Sequence, residues 1–464
     1  MLKLYDSLER REKEFKPVKE KASMYYCGPT VYWTQHIGNM RAFFVMDTLR
    51  RVIEFNGLDV DAIMNITDVG HMTSDEDEGE DKMLVASTRE KKTPKQIADY
   101  YTEKCLEDMK KLNIKMPTQI VNATSVIDEI IEFVQTLIKN GFAYETPRGI
   151  YYDISKYADY GKLGGMNQDE KRMGARIEVD EFKRNPADFA LWVKAPKEHI
   201  LKWESPWGLG YPGWHIECSA ICKRALGDNV DVHGGGIEHK PVHHENEIAQ
   251  NYGYYGKKVV QNWIHHEHLM VDGGKMSKSL GNVWSVSSLE EKGFMPIALR
   301  YFFLNAHYSK QQNFTLDELK GSQTALVRLY NAVLAHKDGT ETVGAEEINS
   351  LRERFLVAIN DNLNMPAGLA VVWEVAKNKT KSKDYYNLLL DLDRALGLDL
   401  AHAEQYLTEE KSEEIPQSVV DLAEKRWQAK QEKRWADADE LRAEILALGY
   451  VVKDKKDGYD IDRA

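Results

Sequence analysis

The sequence predicts an α/β protein built on a parallel sheet, with a mostly helical C-terminal region. Three observations carry this. Two stretches of strand character, 23–27 (SMYYC) and 59–67 (DVDAIMNIT), flank a segment of helical periodicity. Strand, helix and strand in succession form a crossover unit, which makes the two strands parallel. Beyond about residue 320 the apolar spacing is almost wholly helical.

Each element has a local reason. Gly28-Pro29 stops the first strand. Ala42, Val45, Leu49, Val52 and Ile53 then recur at helical spacing, and Asn56-Gly57 end that helix. Ligands of a parallel sheet bind beyond the C-terminal strand ends, where Cys27 and Thr67 fall. The alternation breaks at 127–205. Ile127, Ile130, Ile131, Val134 and Leu137 mark a helix, Gly149 to Asp153 a strand, and a Gly- and Lys-rich stretch follows. This reads as an inserted subdomain. After Pro212 helices are predicted from Trp214 to Leu226 and from His243 to Tyr252, then strands at Val259–Ile264 and Leu269–Val271. Leu326, Leu329 and Val333, then Leu388 to Leu396, carry the later helices. Residues 403–416 read as an acidic linker and 417–464 as a small separate domain.

Composition excludes several classes. With 464 residues, 42% hydrophobic and 29% charged, the chain is neither mainly disordered nor collagen-like. No uncharged apolar run approaches the ~18 residues of a membrane span. The N-terminus, MLKLYDSLERREKEFK, lacks the apolar core of a signal peptide. Four cysteines do not make a disulfide scaffold, so a reducing cytoplasmic location is expected. The net charge of −12 argues against a protein coated in nucleic acid, but local basic surfaces remain open. One such segment is Glu424 to Trp435 (EKRWQAKQEKRW), with five basic and two acidic residues and interleaved tryptophans.

Three clusters can carry chemistry. Cys27 ends the first strand, Cys218 sits on a predicted helix, and His243 and Glu247 stand at i and i+4 on another. Two thiolates, an imidazole and a carboxylate make a tetrahedral zinc set. The same residues also suit two ordinary buried cysteines beside an incidental histidine-rich stretch, and Cys222 competes as a ligand. Cys105 reads as structural. The second cluster, Gln35 to Asn39, opens the first helix, where backbone N–H groups attract anions and Gly38 allows close approach. The third is Gly273-Gly274-Lys275-Met276-Ser277-Lys278-Ser279, a loop whose two lysines suit a polyphosphate.

These motifs point to a family. HIGN at 36–39, KMSKS at 275–279 and their order resemble the class I aminoacyl-tRNA synthetases. YYCGPTVY at 25–32, NITD at 65–68, GWHIECSA at 213–220, HGGG at 233–236 and HHENEIAQ at 243–250 narrow the resemblance to the cysteinyl-tRNA synthetase family, over nearly the whole chain. The resemblance implies a Rossmann-like catalytic domain at 1–126 and 206–265, split by a connective insertion at 127–205. It further implies a KMSKS-loop and stem-contact region at 266–320, an all-α helical bundle at 321–402, the acidic linker, and a small anticodon-binding domain at 417–464.

By the same resemblance, Cys27, Cys218, His243 and Glu247 hold one Zn²⁺, which binds the thiolate of the substrate L-cysteine. A metal keeps a thiol deprotonated at neutral pH, and serine offers no such soft ligand. Thr67, Trp214 and His233 complete the cysteine pocket with Cys27. His36, Gly38, Asn39 and Lys278 contact ATP, which enters with Mg²⁺, and Lys275 assists. Trp427, Arg434 and Trp435 contact tRNA-Cys. No membrane association and a monomer are expected. Two departures stand out. Asn39 replaces the family's usual His, and Glu238 stands where Asp is usual in the loop after HGGG; neighbouring His239 is either a stray ligand or part of a solvated loop. Tyr459 replaces a family aromatic near the end. Two other activities share parts of the pattern: a cysteine ligase with an amino-sugar acceptor, which lacks the C-terminal domain, and a non-catalytic tRNA-binding paralogue, supported by Asn39 alone.

Overall fold

The computed structural model describes residues 1–70, 82–165, 182–197, 199–276, 282–412, 416–455 and 458–463. The chain forms two units, Met1–Ala401 and His402–Ala464.

The first unit opens with an antiparallel pair, β1 (Lys3–Asp6) and β2 (Arg11–Glu14). Next come β3 (Ala22–Tyr26), α1 (Ile37–Phe55) and β4 (Val60–Ile66), the predicted crossover. Helices α2 (Lys82–Glu90) and α3 (Pro94–Lys111) lead to β5 (Gln119–Asn122), and α4 (Ile127–Lys139) follows. Strands β6 (Ala143–Thr146), β7 (Gly149–Tyr152), β8 (Phe189–Lys194) and β9 (Gly210–Pro212) form an antiparallel sheet of their own. Three of its strands lie within 127–205, the stretch read as an inserted subdomain, and the last lies beyond residue 205. Then come α5 (Trp214–Leu226), β10 (Val230–Gly236), α6 (His243–Tyr255) and β11 (Val260–His266).

The central sheet has the order β11-β10-β3-β4-β5, and every pairing in it is parallel. Consecutive strands are joined by crossovers, so all the C-terminal ends share one edge. Strand β10 lies inside the sheet, between β11 and β3, and the sequence reading does not predict it. Its sequence, VDVHGGG, ends in three glycines, which strands normally avoid. Here the glycines let neighbouring side chains pack close against the strand. A Cβ on Gly234 would stand 2.3 Å from the Met46 sulfur, and one on Gly235 would stand 2.7 Å from His239 Nδ1.

A small sheet of β12 (Leu269–Val271), β13 (Gly274–Lys275) and β14 (Gln312–Phe314) follows, with α7 (Val286–Glu290) and α8 (Pro296–Leu304) between its strands. Helices α9 (Leu316–Lys337), α10 (Ala345–Asn360), α11 (Met365–Ala376) and α12 (Lys383–Leu396) complete the unit. Buried Arg300 ties these parts together. It donates to Asp47 at 2.6 Å and to the carbonyls of Leu396 and Leu112. Burial pushes the Asp47 carboxyl upward, but Arg300 and Arg51 outweigh it and hold that carboxyl below its ordinary value.

The second unit contains α13 (Ala403–Ser412), α14 (Gln417–Gln431), α15 (Trp435–Ala447) and the hairpin of β15 (Tyr450–Lys455) with β16 (Gly458–Arg463). Its core is Val419, Ala423, Ile445 and Val452. The segment read as an acidic linker is thus helical over 403–412. Its glutamates are good helix formers, so charge alone does not make it irregular. Among the described residues no helix is long and apolar enough to cross a membrane.

Candidate active site

A cavity of about 590 Å³ lies beyond the C-terminal ends of β3 and β4. Cys27, Thr67, Trp214, Cys218 and His243 line one side, and His36, Gly38 and Asn39 another. The fold therefore brings the thiol-rich cluster and the start of α1 to one place.

The cluster is compact. Cys27, Cys218, His243 and Glu247 each present one donor atom, all within 4.8 Å of one another. Cys218 Sγ is 3.5 Å from His243 Nε2, which is 3.1 Å from Glu247 Oε1. Glu247 and His243 are successive turns of α6, and Cys218 comes from the middle of α5, which packs against it. A second set, Cys27, His233, His244 and Glu247, meets the same distance test and shares two members with the first.

Outer contacts orient the donors of both sets. His233 Nε2 is 2.8 Å from Glu247 Oε2, so the two carboxylate oxygens face different imidazoles. His215 Nδ1 is 2.9 Å from His243 Nδ1, which leaves His243 Nε2 for the cluster centre. His244 is held in the same way, its Nδ1 2.7 Å from His265 Nε2 and its Nε2 3.4 Å from Cys27 Sγ. What separates the sets is sulfur: the first has two sulfur donors, which suits zinc better than a set with one.

The charges favour a cation. The Cys218 contact holds the Cys27 thiol well below its ordinary value, against burial. That contact, with burial, pushes Cys218 well above its own. Burial alone would lower His243, yet the Cys27 thiolate and Glu247 raise it to about 10. Burial would raise Glu247, yet His233 and His243 hold it at about 2. Cys27 and Glu247 are thus anionic donors where a positive charge is stabilised, and the four residues present fit a zinc ion.

The remaining pocket residues divide. Thr67 Oγ1 donates to Glu217 Oε2 at 3.2 Å and accepts from Asn65 Nδ2 at 3.0 Å. The Trp214 ring lies 4.4 Å from the His243 ring. His233 does not line the cavity. It is fully buried behind Glu247 and stacks on Trp263 at 4.5 Å, because β10 carries it into the sheet interior. Cys222 belongs to neither donor set among the described residues, and burial pushes its thiol up. Cys105 is likewise buried and pushed up. His239 is absent from both sets too. Its Nδ1 accepts from the Gly236 N–H at 3.2 Å, which closes the turn after β10. Glu238 lines the cavity, 3.6 Å from His268 Nδ1.

At the other side of the cavity, His36 and Asn39 cap α1 reciprocally. Asn39 N–H donates to His36 Nδ1 at 3.2 Å, and His36 N–H donates to Asn39 Oδ1 at 3.1 Å. Asn39 therefore uses its carbonyl oxygen as a cap. Both flanks of the lysine-serine loop touch this helix start. The Met276 methyl would lie 2.6 Å from a Cβ at Gly38, and Ile37 N–H donates to the Trp284 carbonyl. The backbone of Lys275 is in β13, and Lys278 lies outside the described residues.

In the second unit, Trp435 is exposed and Trp427 is 5.9 Å from Tyr459. The basic segment around them is largely neutralised within the unit. Arg426 and Lys430 both pair with Asp454, and Arg434 pairs with Glu432 and Asp437.

Sequence reasoning missed Glu217, Asn65, His215 and His244. Two of them carried a usable signal. His215 is three residues before Cys218, on the same helix face, and His244 is three before Glu247.

Residues 14–324 match the family described as tRNA synthetases class I (C) catalytic domain, and residues 412–459 match the cysteinyl-tRNA ligase anticodon binding domain. A cysteine–tRNA ligase of Treponema denticola is 39% identical over 481 residues, covering 98% of each chain. One of Caldicellulosiruptor saccharolyticus is 38% identical and covers all of both chains. Burkholderia lata has a cysteine–tRNA ligase 1 that is 40% identical, over 98% of this chain and 96% of its own. Among solved structures, Mycobacterium tuberculosis methionyl-tRNA synthetase bound by methionyl-adenylate aligns with a TM-score of 0.54 at 13% identity, over 82% of this chain and 90% of that one. A LeuRS of Agrobacterium radiobacter in a ternary complex reaches 0.59 at 12% identity, over 85% and 86%. These two share the fold. On the motif order, the two domain matches and full-length relatives at this identity, the chain belongs to the cysteinyl-tRNA synthetase (cysteine–tRNA ligase) family of class I tRNA synthetases.

Proposed function

We propose that the protein activates L-cysteine with ATP to cysteinyl-adenylate and transfers the cysteinyl group to the 3′ end of tRNA-Cys. The observation that carries this reading is the meeting of a sulfur-rich donor set and a capped helix start in one cavity. The tRNA acceptor, as against an amino-sugar, is supported by the match at 412–459.

Substrate enters with its side chain toward Cys27, Cys218, His243 and Glu247. Zinc held there supplies a Lewis-acidic partner that keeps the substrate thiol deprotonated. His215 fixes the orientation of His243, and His233 that of Glu247, so both donors are held before substrate arrives. Thr67 and Trp214 bound the pocket beside them. Selectivity follows from this chemistry. Losing a specific ligand bond discriminates by about 10⁴-fold or more, whereas a hydrophobic slot distinguishes isosteres poorly.

The carboxylate oxygen of cysteine attacks the α-phosphorus of ATP, and pyrophosphate leaves with its electron pair. Charge grows on the phosphate oxygens. The start of α1, His36, the Asn39 amide, Lys275 and Lys278 are the groups assigned to stabilise it, with Mg²⁺ accompanying the ATP. A ribose hydroxyl of the terminal adenosine then attacks the carbonyl carbon, and AMP leaves. Trp427, Arg434 and Trp435 are assigned to the tRNA. A cytoplasmic monomer completes the reading.

The test is cysteine-dependent ATP–pyrophosphate exchange, with serine as control, followed by charging of a tRNA-Cys transcript and zinc analysis of the purified protein. Exchange without charging would favour a different acceptor. No cysteine-dependent exchange at all would refute the reading.

A further inference from the structure

A second cavity, of about 350 Å³, lies behind the donor set. One face of α6, the first half of β11, the turn after β1 and residues 157–162 of the insertion enclose it. It shares no lining residue with the catalytic cavity. Trp263 on its wall stacks on His233, and His233 in turn contacts Glu247. Nothing in the mechanism above uses this space.

Its lining is mostly apolar, with a small polar part. Ile248, Val260 and the Tyr157 and Tyr252 rings, whose centres are 4.8 Å apart, supply flat and aliphatic surface. Asn251 is 4% exposed and Trp263 1%. Yet neither the Asn251 amide nor the Trp263 indole N–H has a hydrogen-bond partner among the described residues. A buried amide without a partner is costly, and leucine at that position would carry no such cost. The rim is charged but matched within itself. Lys258 pairs with Glu9 at 2.9 Å, Lys257 with Asp228 at 2.5 Å and Lys162 with Asp159 at 3.9 Å. Each of these lysines already faces a carboxylate, so the rim favours an uncharged guest over an anion.

We propose that this cavity is a second ligand site, and that it takes an uncharged aminopurine ring, as a nucleoside and not as a nucleotide. The volume lies at the lower end of the range for small-molecule pockets, about 300–1,000 Å³. An asparagine amide sets a donor beside an acceptor. Its complement is a ring that carries an amino group next to a ring nitrogen, as adenine does at N6 and N7. The tyrosine rings and aliphatic side chains meet the faces of such a ring, and the Trp263 N–H offers one more donor.

The test is equilibrium binding of adenosine to the full-length protein, with the catalytic cavity blocked by a non-hydrolysable cysteinyl-adenylate analogue. One adenosine binds per chain. Purine riboside, which lacks only the 6-amino group, binds at least about tenfold more weakly, because the Asn251 side-chain carbonyl is then left unpaired. AMP binds no more tightly than adenosine. Asn251→Leu weakens adenosine by about tenfold or more and leaves pyrophosphate exchange within about twofold. Should Asn251→Leu fail to fold, the comparison of adenosine with purine riboside on the unaltered protein decides alone. No saturable adenosine binding under the block, equal binding of purine riboside, or tighter binding of AMP would overturn the proposal. So would adenosine binding that Asn251→Leu leaves unchanged, or loss of exchange in a folded Asn251→Leu protein, which would tie the residue to catalysis instead.

Discussion

Replacing Asn39 separates two roles that the structure assigns to different atoms of one side chain. Its Oδ1 accepts from the His36 N–H and caps α1, while its amide nitrogen is a donor at the cavity wall. Asn39→Ala removes both. Loss of the cap should cost about 1 kcal/mol of stability. Loss of a donor to the reacting phosphate should cost up to roughly 2.7–4 kcal/mol of barrier, on the order of a hundredfold or more in exchange rate. Asn39→His keeps an acceptor and a donor. Because an imidazole with pKa ~6.5 is mostly neutral at pH 7, that variant should stay within a few-fold of the unaltered protein. Asn39→Asp is the decisive case. It keeps the cap oxygen and suits the helix start, so denaturant stability should hold. It also places a negative charge against the phosphates, so exchange should fall at least as far as in Asn39→Ala. Stability is read by denaturant titration and catalysis by pyrophosphate exchange at saturating cysteine. An Asn39→Asp enzyme with full exchange activity would show that this side chain never faces the phosphates.

The metal assignment predicts that Cys218→Ala loses zinc and activity while Cys222→Ala keeps both; zinc retained in Cys218→Ala but lost in His244→Ala would move the metal to the overlapping donor set. Lys278→Ala should slow adenylate formation about a hundredfold with cysteine KM within twofold, and single-turnover exchange that is unchanged would refute the role of that lysine. Burial raises the Asp108 carboxyl to about 6, above its unfolded value, so its ionisation destabilises the fold at neutral pH. Stability contributed by the protonated form is complete below the unfolded pKa and lost as pH rises through about 6. Asp108→Asn should therefore raise the unfolding free energy at pH 7.5 by about 1–2 kcal/mol, with the gain vanishing below about pH 4.

Much of the catalytic unit was legible because periodicity and turn residues agree there. The first strand, α1 and the second strand are predicted to within a few residues, since Gly28-Pro29 and Asn56-Gly57 punctuate them. Strand β10 was not, because its composition answers to close packing against Met46 and His239 and not to strand propensity. The basic C-terminal segment reads as open cationic surface in sequence. In the structure Arg426 and Lys430 converge on Asp454, which lies on the hairpin that follows. No local pattern reveals a partner supplied by a later strand.

The donor set is a sharper case of the same limit. Cys27 belongs to the first crossover, Cys218 and the His243–Glu247 pair to the second half of the sheet. Spacing along the chain cannot join them. What joins them is topology: β3 and β10 are adjacent and parallel, so Cys27 emerges beside the strand that leads into α6. The same parallel arrangement starts α1 just beyond β3, and α1 begins with the capped His36–Asn39 turn. A sulfur-rich pocket and an anion-attracting helix start are thus neighbours because one strand end feeds both. Adenylate formation requires the carboxylate of a bound cysteine to meet the α-phosphate of ATP, and this shared strand end sets the distance between them. A one-residue slip of β3 against β10 would carry Cys27 away from its partners on α5 and α6 and exchange the two faces of β3, both of them buried, so the packing of the sheet holds the donor set together.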